Sequence, residues 1–321
     1  MPDQQTRMTL WGIEIFLAAI EEGSISGAAK RLEASPSSIS QQITNLEAAV
    51  GARLIDRTAR PMTLTPAGTL FHRRASTIFS EAHIARTELA HHDLSQLSRL
   101  RLGMIEDFDA DVTPRLLSDM SDELKTCHFV LETGASYHLA AMLERRALDV
   151  IVAADLDLST DWMEVYPLIN DPFMVAAPPG VIDCDKDLLP QLLALPFIRY
   201  SARQMMGRQI EAHLTGLGLT IPHRFELDSY HAIMAMVAGG AGWTITTPLG
   251  YTRAQRFRDE VEVMPLPFAP LARQISLFAR KDVMDGMPAD IAARLRPLLK
   301  DLVVKPCLQQ LPWLGGALAV L

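Results

Sequence analysis

Cysteine is scarce in this chain. There are three in 321 residues, Cys127, Cys184 and Cys307, an odd number set far apart. A disulfide framework and a Cys-x-x-Cys redox or zinc site are therefore excluded, and the expectation is reduced thiols in a cytosol. Long apolar runs are also missing. None reaches the roughly 18 residues that a bilayer span needs. Residues 1–8 are polar and carry no apolar stretch with a cleavage site, so a cytoplasmic location is expected. No Gly-x-Ser-x-Gly, His-Glu-x-x-His or Walker loop is present, so no catalytic residue, metal ligand or cofactor is expected. His83, His91 and His92 fall on one helical stretch, but adjacent residues there point roughly 100° apart, which makes surface residues of them rather than a metal site.

Positive charge is in short supply as well. The formal net charge is −8. Residues 1–100 hold ten Lys/Arg and ten Asp/Glu, and residues 101–321 hold twenty and twenty-eight. An acidic balance is not what nucleic-acid binding predicts, so any such role has to be argued from local pattern.

Apolar residues make up 49% of the chain, which fits a globular protein of two or three compact units. Near the N-terminus, Leu10, Ile13, Leu17 and Ile20 define one helix face that Gly23 ends. A short helix with Ile25, Ala28, Ala29 and Leu32 on one side follows. Ser35 then suits an N-cap and Pro36 the first position of a third helix, which runs to about Leu46. On that helix Ile39, Ile43 and Leu46 share a face. Opposite them lie Ser37, Gln41 and Thr44, flanked by Ser38, Ser40 and Asn45. A solvated helix face normally carries Lys and Glu. A face of hydroxyls and amides suits the donors and acceptors of base edges in a major groove. Residues 51–65 read as a short two-stranded wing whose Arg53, Arg57 and Arg60 suit phosphates or a minor groove, and Ser24 is expected among the DNA contacts.

Thr65 caps and Pro66 starts a long helix toward His92. Phe71, Ala75, Ile78, Ala82, Ala85 and Leu89 repeat at spacings of four and three, a heptad seam expected to pair with a second copy. From Arg99 onward strand-like runs alternate with helix-like runs, which predicts an α/β unit. Its strand ends carry Glu106-Asp107-Phe108-Asp109, Thr133-Gly134-Ala135-Ser136, Tyr200-Ser201-Ala202-Arg203 and Asp228-Ser229-Tyr230. Residues 311–321 are apolar, and either disorder or docking on a neighbouring surface would suit them.

Phe16, the run Glu22–Ala29, Leu32, Ser40, Ile43, Leu46-Glu47, Gly51, Leu54, Arg57 and Leu64-Thr65-Pro66-Ala67-Gly68 together resemble the LysR-type winged helix-turn-helix over nearly sixty residues. Ile55 stands where that family usually has Phe, and Ser35 where many members have Gln. The resemblance implies a transcription regulator of α+β class. Its parts would be a winged helix-turn-helix over residues 1–65, a dimerisation helix over 66–98, a periplasmic-binding-protein-like sensor over 99–305, and a tail over 306–321. The sensor would divide into residues 99–163 with 268–302, and residues 164–267, with crossings near 159–166 and 265–273. Asp107, Ala135, Ser136, Ser201 and Asp228 fall at or near effector contacts by this resemblance, and Phe108, Thr133 and Arg203 sit on the same strand ends. Partners would be a pseudo-palindromic duplex, a small-molecule effector, and one or three further copies of the chain. With Asp107, Glu106 and Asp228 near the cleft and helix N-termini opposite, an amine or zwitterion is the expected effector.

Overall fold

The structure is a computed structural model that describes residues 7–57, 59, 61–89, 97–154, 161–281 and 283–321. Arg60, His91, His92 and residues 155–160, where the first crossing was expected to begin, lie outside the described residues. So do the side chains of His83, Ala85 and Leu89. The chain divides into two compact units, one essentially residues 1–92 and the other essentially 93–321.

The first unit holds α1 (Leu10–Glu21), α2 (Ile25–Arg31), α3 (Pro36–Val50), β1 (Ile55–Asp56), β2 (Thr63–Leu64) and α4 (Pro66–Leu89). The caps explain the boundaries. Thr9, Ser24 and Ser35 each accept a backbone N–H three residues on. Gly51 ends α3 with φ +72°, a left-handed conformation that glycine adopts without strain. Ile13, Phe16, Ile39, Ile43, Leu46 and Leu54 form the core. Phe71 meets Phe16 edge to face at 5.3 Å and Ala75 is buried in the same core. The first half of the expected heptad seam therefore packs on its own α1, while Leu70 and Ile78 are exposed.

The second unit has two sheets. In the six-stranded one the order is β13-β6-β12-β5-β3-β4. It uses β3 (Arg99–Met104), β4 (His128–Thr133), β5 (Val150–Ala154), β6 (Met163–Pro172), β12 (Ala272–Arg280) and β13 (Ala319–Val320). The helices α5 (Val112–Glu123) and α6 (Ser136–Glu144) are the crossovers of its parallel part, β5-β3-β4. The other sheet has β10 (Thr244–Thr246) and β11 (Glu262–Pro265) on either side of β7 (Met174–Ala177). A parallel pair, β8 (Phe197–Tyr200) and β9 (His223–Leu227), joins it where Phe197 bridges Trp243. Here α7 (Leu188–Leu193), α8 (Met205–Gly216), α9 (Tyr230–Ala238) and α10 (Pro248–Arg253) are the helices.

One expectation needs correction, and the choice left open for the tail is decided. Residues 164–172 were assigned to the second subdomain. They form most of β6, which pairs along β12 in the first sheet, so the chain crosses after Pro172. Pro167 and Pro172 obscure this strand in the sequence. Pro167 sits at a bulge, where a missing N–H costs no ladder bond. The tail, in turn, is docked. After α11 (Met287–Leu299) the helix widens to π geometry over Lys300–Val304, ahead of Pro306, whose missing N–H interrupts the ladder. It resumes as α12 (Lys305–Gln310), and β13 then closes the edge of the sheet against β6. Leu311, Leu314 and Leu318 are buried and Leu321 N–H donates to the Leu168 carbonyl. Deleting residues 311–321 is expected to remove about 4 kcal/mol of apolar burial and to lower the unfolding midpoint of the second unit by about 10 °C, measured calorimetrically. An unchanged midpoint would mean that the tail adds nothing to that core.

Candidate nucleic-acid interface and effector cleft

In the first unit the outward face of α3 presents Ser37, Ser38, Gln41 and Thr44 exposed, with Ser40 and Asn45 half-buried beside them. Gln41 Nε2 donates to Asn45 Oδ1 at 3.0 Å, and Thr44 Oγ1 to the Ser40 carbonyl at 2.9 Å. Ser24 spends its hydroxyl oxygen on Gly27 N–H as the cap of α2. Arg53 is exposed. Arg57 is held: its Nη2 donates to Glu47 Oε2 at 3.1 Å and to Thr44 Oγ1 at 3.2 Å. Sequence reasoning placed Arg57 on the wing as a residue suited to phosphates. Its engagement with α3 was not visible, because the partners stand ten and thirteen residues away.

In the second unit a cleft of about 690 Å³, open to solvent, lies between the two sheets. Of the expected residues, Asp107, Ala135, Ser136 and Asp228 line it. Four do not. Phe108 is 1% exposed and packs in the core, since the short 3-10 turn after β3 rolls it inward. Ser201 is buried, where Arg203 N–H donates to its hydroxyl. Thr133 is exposed at the end of β4, and Arg203 projects outward to Asp228 at 2.9 Å. The aromatic wall was missed. Tyr200 and Tyr230 stack edge to face at 5.6 Å, with Met205 and Met206 beside them. Both tyrosines stand on strand ends or helix starts singled out in the sequence, so position was the available signal.

The floor was missed too. Arg273, at the start of β12, is buried. Its Nη2 donates to Asp107 Oδ1 at 3.0 Å and to Thr247 Oγ1 at 3.3 Å, and its Nε to Asp171 Oδ2 at 2.8 Å. Tyr230 O–H reaches Asp107 Oδ2 at 3.5 Å. Asp107 and Asp171 have side chains 4% and 0% exposed. Asp107 is therefore not a carboxylate waiting for a ligand cation. The other acids are also matched: Arg253 donates to both oxygens of Asp109, at 2.8 and 3.1 Å, and lies 3.7 Å from Glu106. This removes the unpaired charge on which an amine ligand was expected. Ser136 Oγ accepts Ala154 N–H at 3.0 Å, tying the start of α6 to the end of β5.

Among the described residues no group of His, Cys, Asp and Glu could hold a metal, and no helix is long and apolar enough to cross a membrane. No cysteine lines the cleft, and burial pushes the thiols of Cys127 and Cys307 up to about 11.

Burial pushes Asp171 up to about 6, against the pull of Arg273. A carboxylate with a raised folded-state pKa binds its proton more tightly folded than unfolded. Its contribution therefore favours the fold at low pH and is lost as pH rises toward 6. Asp171→Asn is expected to flatten the fall in unfolding midpoint between about pH 4 and 6. A wild-type midpoint that rises steadily across that window, with an unchanged curve in the variant, would contradict this.

Comparison with known proteins adds the following. Residues 10–69 match the model described as bacterial regulatory helix-turn-helix protein, lysR family, and residues 95–289 match the LysR substrate binding domain. A probable hydrogen peroxide-inducible genes activator of Mycobacterium xenopi is 32% identical over 182 residues, 56% of this chain and 95% of that protein. The DNA-binding transcriptional dual regulator OxyR of Escherichia coli is 25% identical over 280 residues, 85% of this chain and 90% of that one. In fold, the chain is similar to a Corynebacterium glutamicum OxyR C206 mutant, with TM-score 0.64 and 22% identity over 95% of this chain and 96% of the other.

Proposed function

The chain belongs to the LysR family of DNA-binding transcription regulators, and on that premise we propose how its residues divide the work. Base reading falls to Ser37, Ser38, Ser40, Gln41 and Thr44 of α3. Phosphate contact falls to Ser24, Arg53, Arg57 and Arg60. The observation that carries this is the acid-free polar face of α3, against which Arg57 of the wing folds. The working form is a homodimer or homotetramer, paired in part through the exposed residues of α4, on a pseudo-palindromic promoter site in the cytoplasm. The chain catalyses nothing and needs no cofactor.

The effector binds the cleft of the second unit, against Tyr200, Tyr230, Met205 and Met206 on one wall and Ala135 and Ser136 on the other. Reversible binding is favoured over oxidation of a thiol, since no cysteine lines the cleft. An amine or zwitterion now has to rest on Asp228. Its pair with Arg203 is exposed, hence weak and readily exchanged, whereas Arg273 holds Asp107 out of water.

Gln41 can pair with adenine N6 and N7. Gln41→Ala is expected to weaken binding to a selected duplex by about 1–3 kcal/mol and to leave binding to scrambled DNA unchanged. An unaltered ratio of the two would contradict the role of α3. For the cleft, titration calorimetry of the full chain against amine, zwitterionic and anionic metabolites should find a ligand among the first two, weakened in Asp228→Asn. Binding of plain anions alone, indifferent to Asp228, would overturn the effector class.

A further inference from the structure

Glu47, part of the pattern shared with the LysR-type helix-turn-helix, carries a charge that does not suit its surroundings. It lies in the last turn of α3, where a negative charge opposes the helix dipole, and near a surface that meets phosphates. Among the described residues, the hydrogen bonds of its side chain go to the wing. Oε1 accepts Leu54 N–H at 2.8 Å and Ile55 N–H at 3.2 Å, and Oε2 accepts Arg57 Nη2 at 3.1 Å. The same Nη2 donates to Thr44 Oγ1, on the outward face of α3. The carboxylate is 13% exposed, and the arginine, at 39%, keeps room for a further acceptor.

Leu54 is fixed from its other side as well. Its carbonyl accepts Thr65 N–H at 3.0 Å, and Gly68 of α4 presses so close to that carbonyl that any Cβ would collide with it. One wing residue is thus clamped between α3 and α4. The α3 half of the clamp is the side chain of Glu47, and the α4 half is backbone.

We propose that Glu47 is a positioning residue for DNA reading, one that sets the wing and Arg57 in register with the outward face of α3. This rests on α3 being the reading helix. A phosphate bound by Arg57 then fixes where Thr44 and Gln41 stand along the groove. The gain is in discrimination between sequences, because the charge of Glu47 itself works against DNA.

The test uses the full chain and two duplexes, one enriched by the wild-type protein from a randomised pool and one scrambled. Glu47→Gln keeps an oxygen for the two backbone N–H groups and loses the ion pair. The ratio of selected to scrambled affinity is expected to fall about tenfold, with scrambled affinity unchanged or higher and the unfolding midpoint close to wild type. Arg57→Lys keeps the charge and loses the shared geometry, and should lower the ratio similarly with the salt dependence retained. In the double variant the losses should not add. An unchanged ratio in Glu47→Gln overturns the proposal, as does a parallel loss of both affinities together with the midpoint. If Gln41→Ala lowers the ratio and Glu47→Gln does not, α3 reads DNA and only the role of Glu47 falls. A randomised pool from which no duplex is enriched overturns the reading role of α3 and this proposal with it.

Discussion

Arg273 lies buried between Asp107 and Asp171, and the second unit is organised around that contact. Asp171 and Arg273 stand on the two strands, β6 and β12, that lead out of the six-stranded sheet toward the other one. Asp107 follows β3, Thr247 caps α10, and Tyr230 opens α9. One guanidinium therefore holds together the floor of the cleft and both of its sides. Two carboxylates and one arginine taken out of water are stable only as a set, because a lone buried charge of this kind is costly. The same set decides what the cleft can recognise, since Asp107 has no free charge to offer.

A wider constraint follows from composition. An acidic chain that binds a polyanion must keep its own carboxylates from interfering. Four acids near the candidate sites are matched by an arginine: Glu47 by Arg57, Asp107 by Arg273, Asp109 by Arg253 and Asp228 by Arg203. The outward face of α3 goes further and carries no charge at all. On the proposed reading, recognition depends on the geometry of hydroxyls and amides, with Arg57, held by Glu47, at the phosphate backbone.

Much of this was legible in the sequence wherever the signal is local. Ser35 and Pro36 mark the start of α3 by capping chemistry, and Ile39, Ile43 and Leu46 set its rotation, whereas its end, expected near Leu46, falls at Val50 before the left-handed Gly51. Phe197–Tyr200 reads directly as a strand, and the two strands of the wing fall inside the stretch 51–65 read as a wing. What escaped is long-range. Nothing near Asp107 announces Arg273, which comes 166 residues later. The β6 strand hides behind Pro167, whose place at a bulge exists only once β12 lies beside it. The apolar tail reads equally as loose or docked until β6 offers it an edge. In α4, the period of Phe71 and Ala75 is the same whether they meet a second copy or α1, and only the fold distinguishes the two.

The central claim is that this acidic chain reads sequence by laying the uncharged face of α3 in the major groove. Methylation interference on the selected duplex, with the full-length protein, tests it most directly. Guanine N7 lies in the major groove and adenine N3 in the minor. The account predicts that methyl groups on guanine N7 block binding within each half-site. Interference confined to adenine N3, with guanine N7 methylation tolerated throughout, would contradict it.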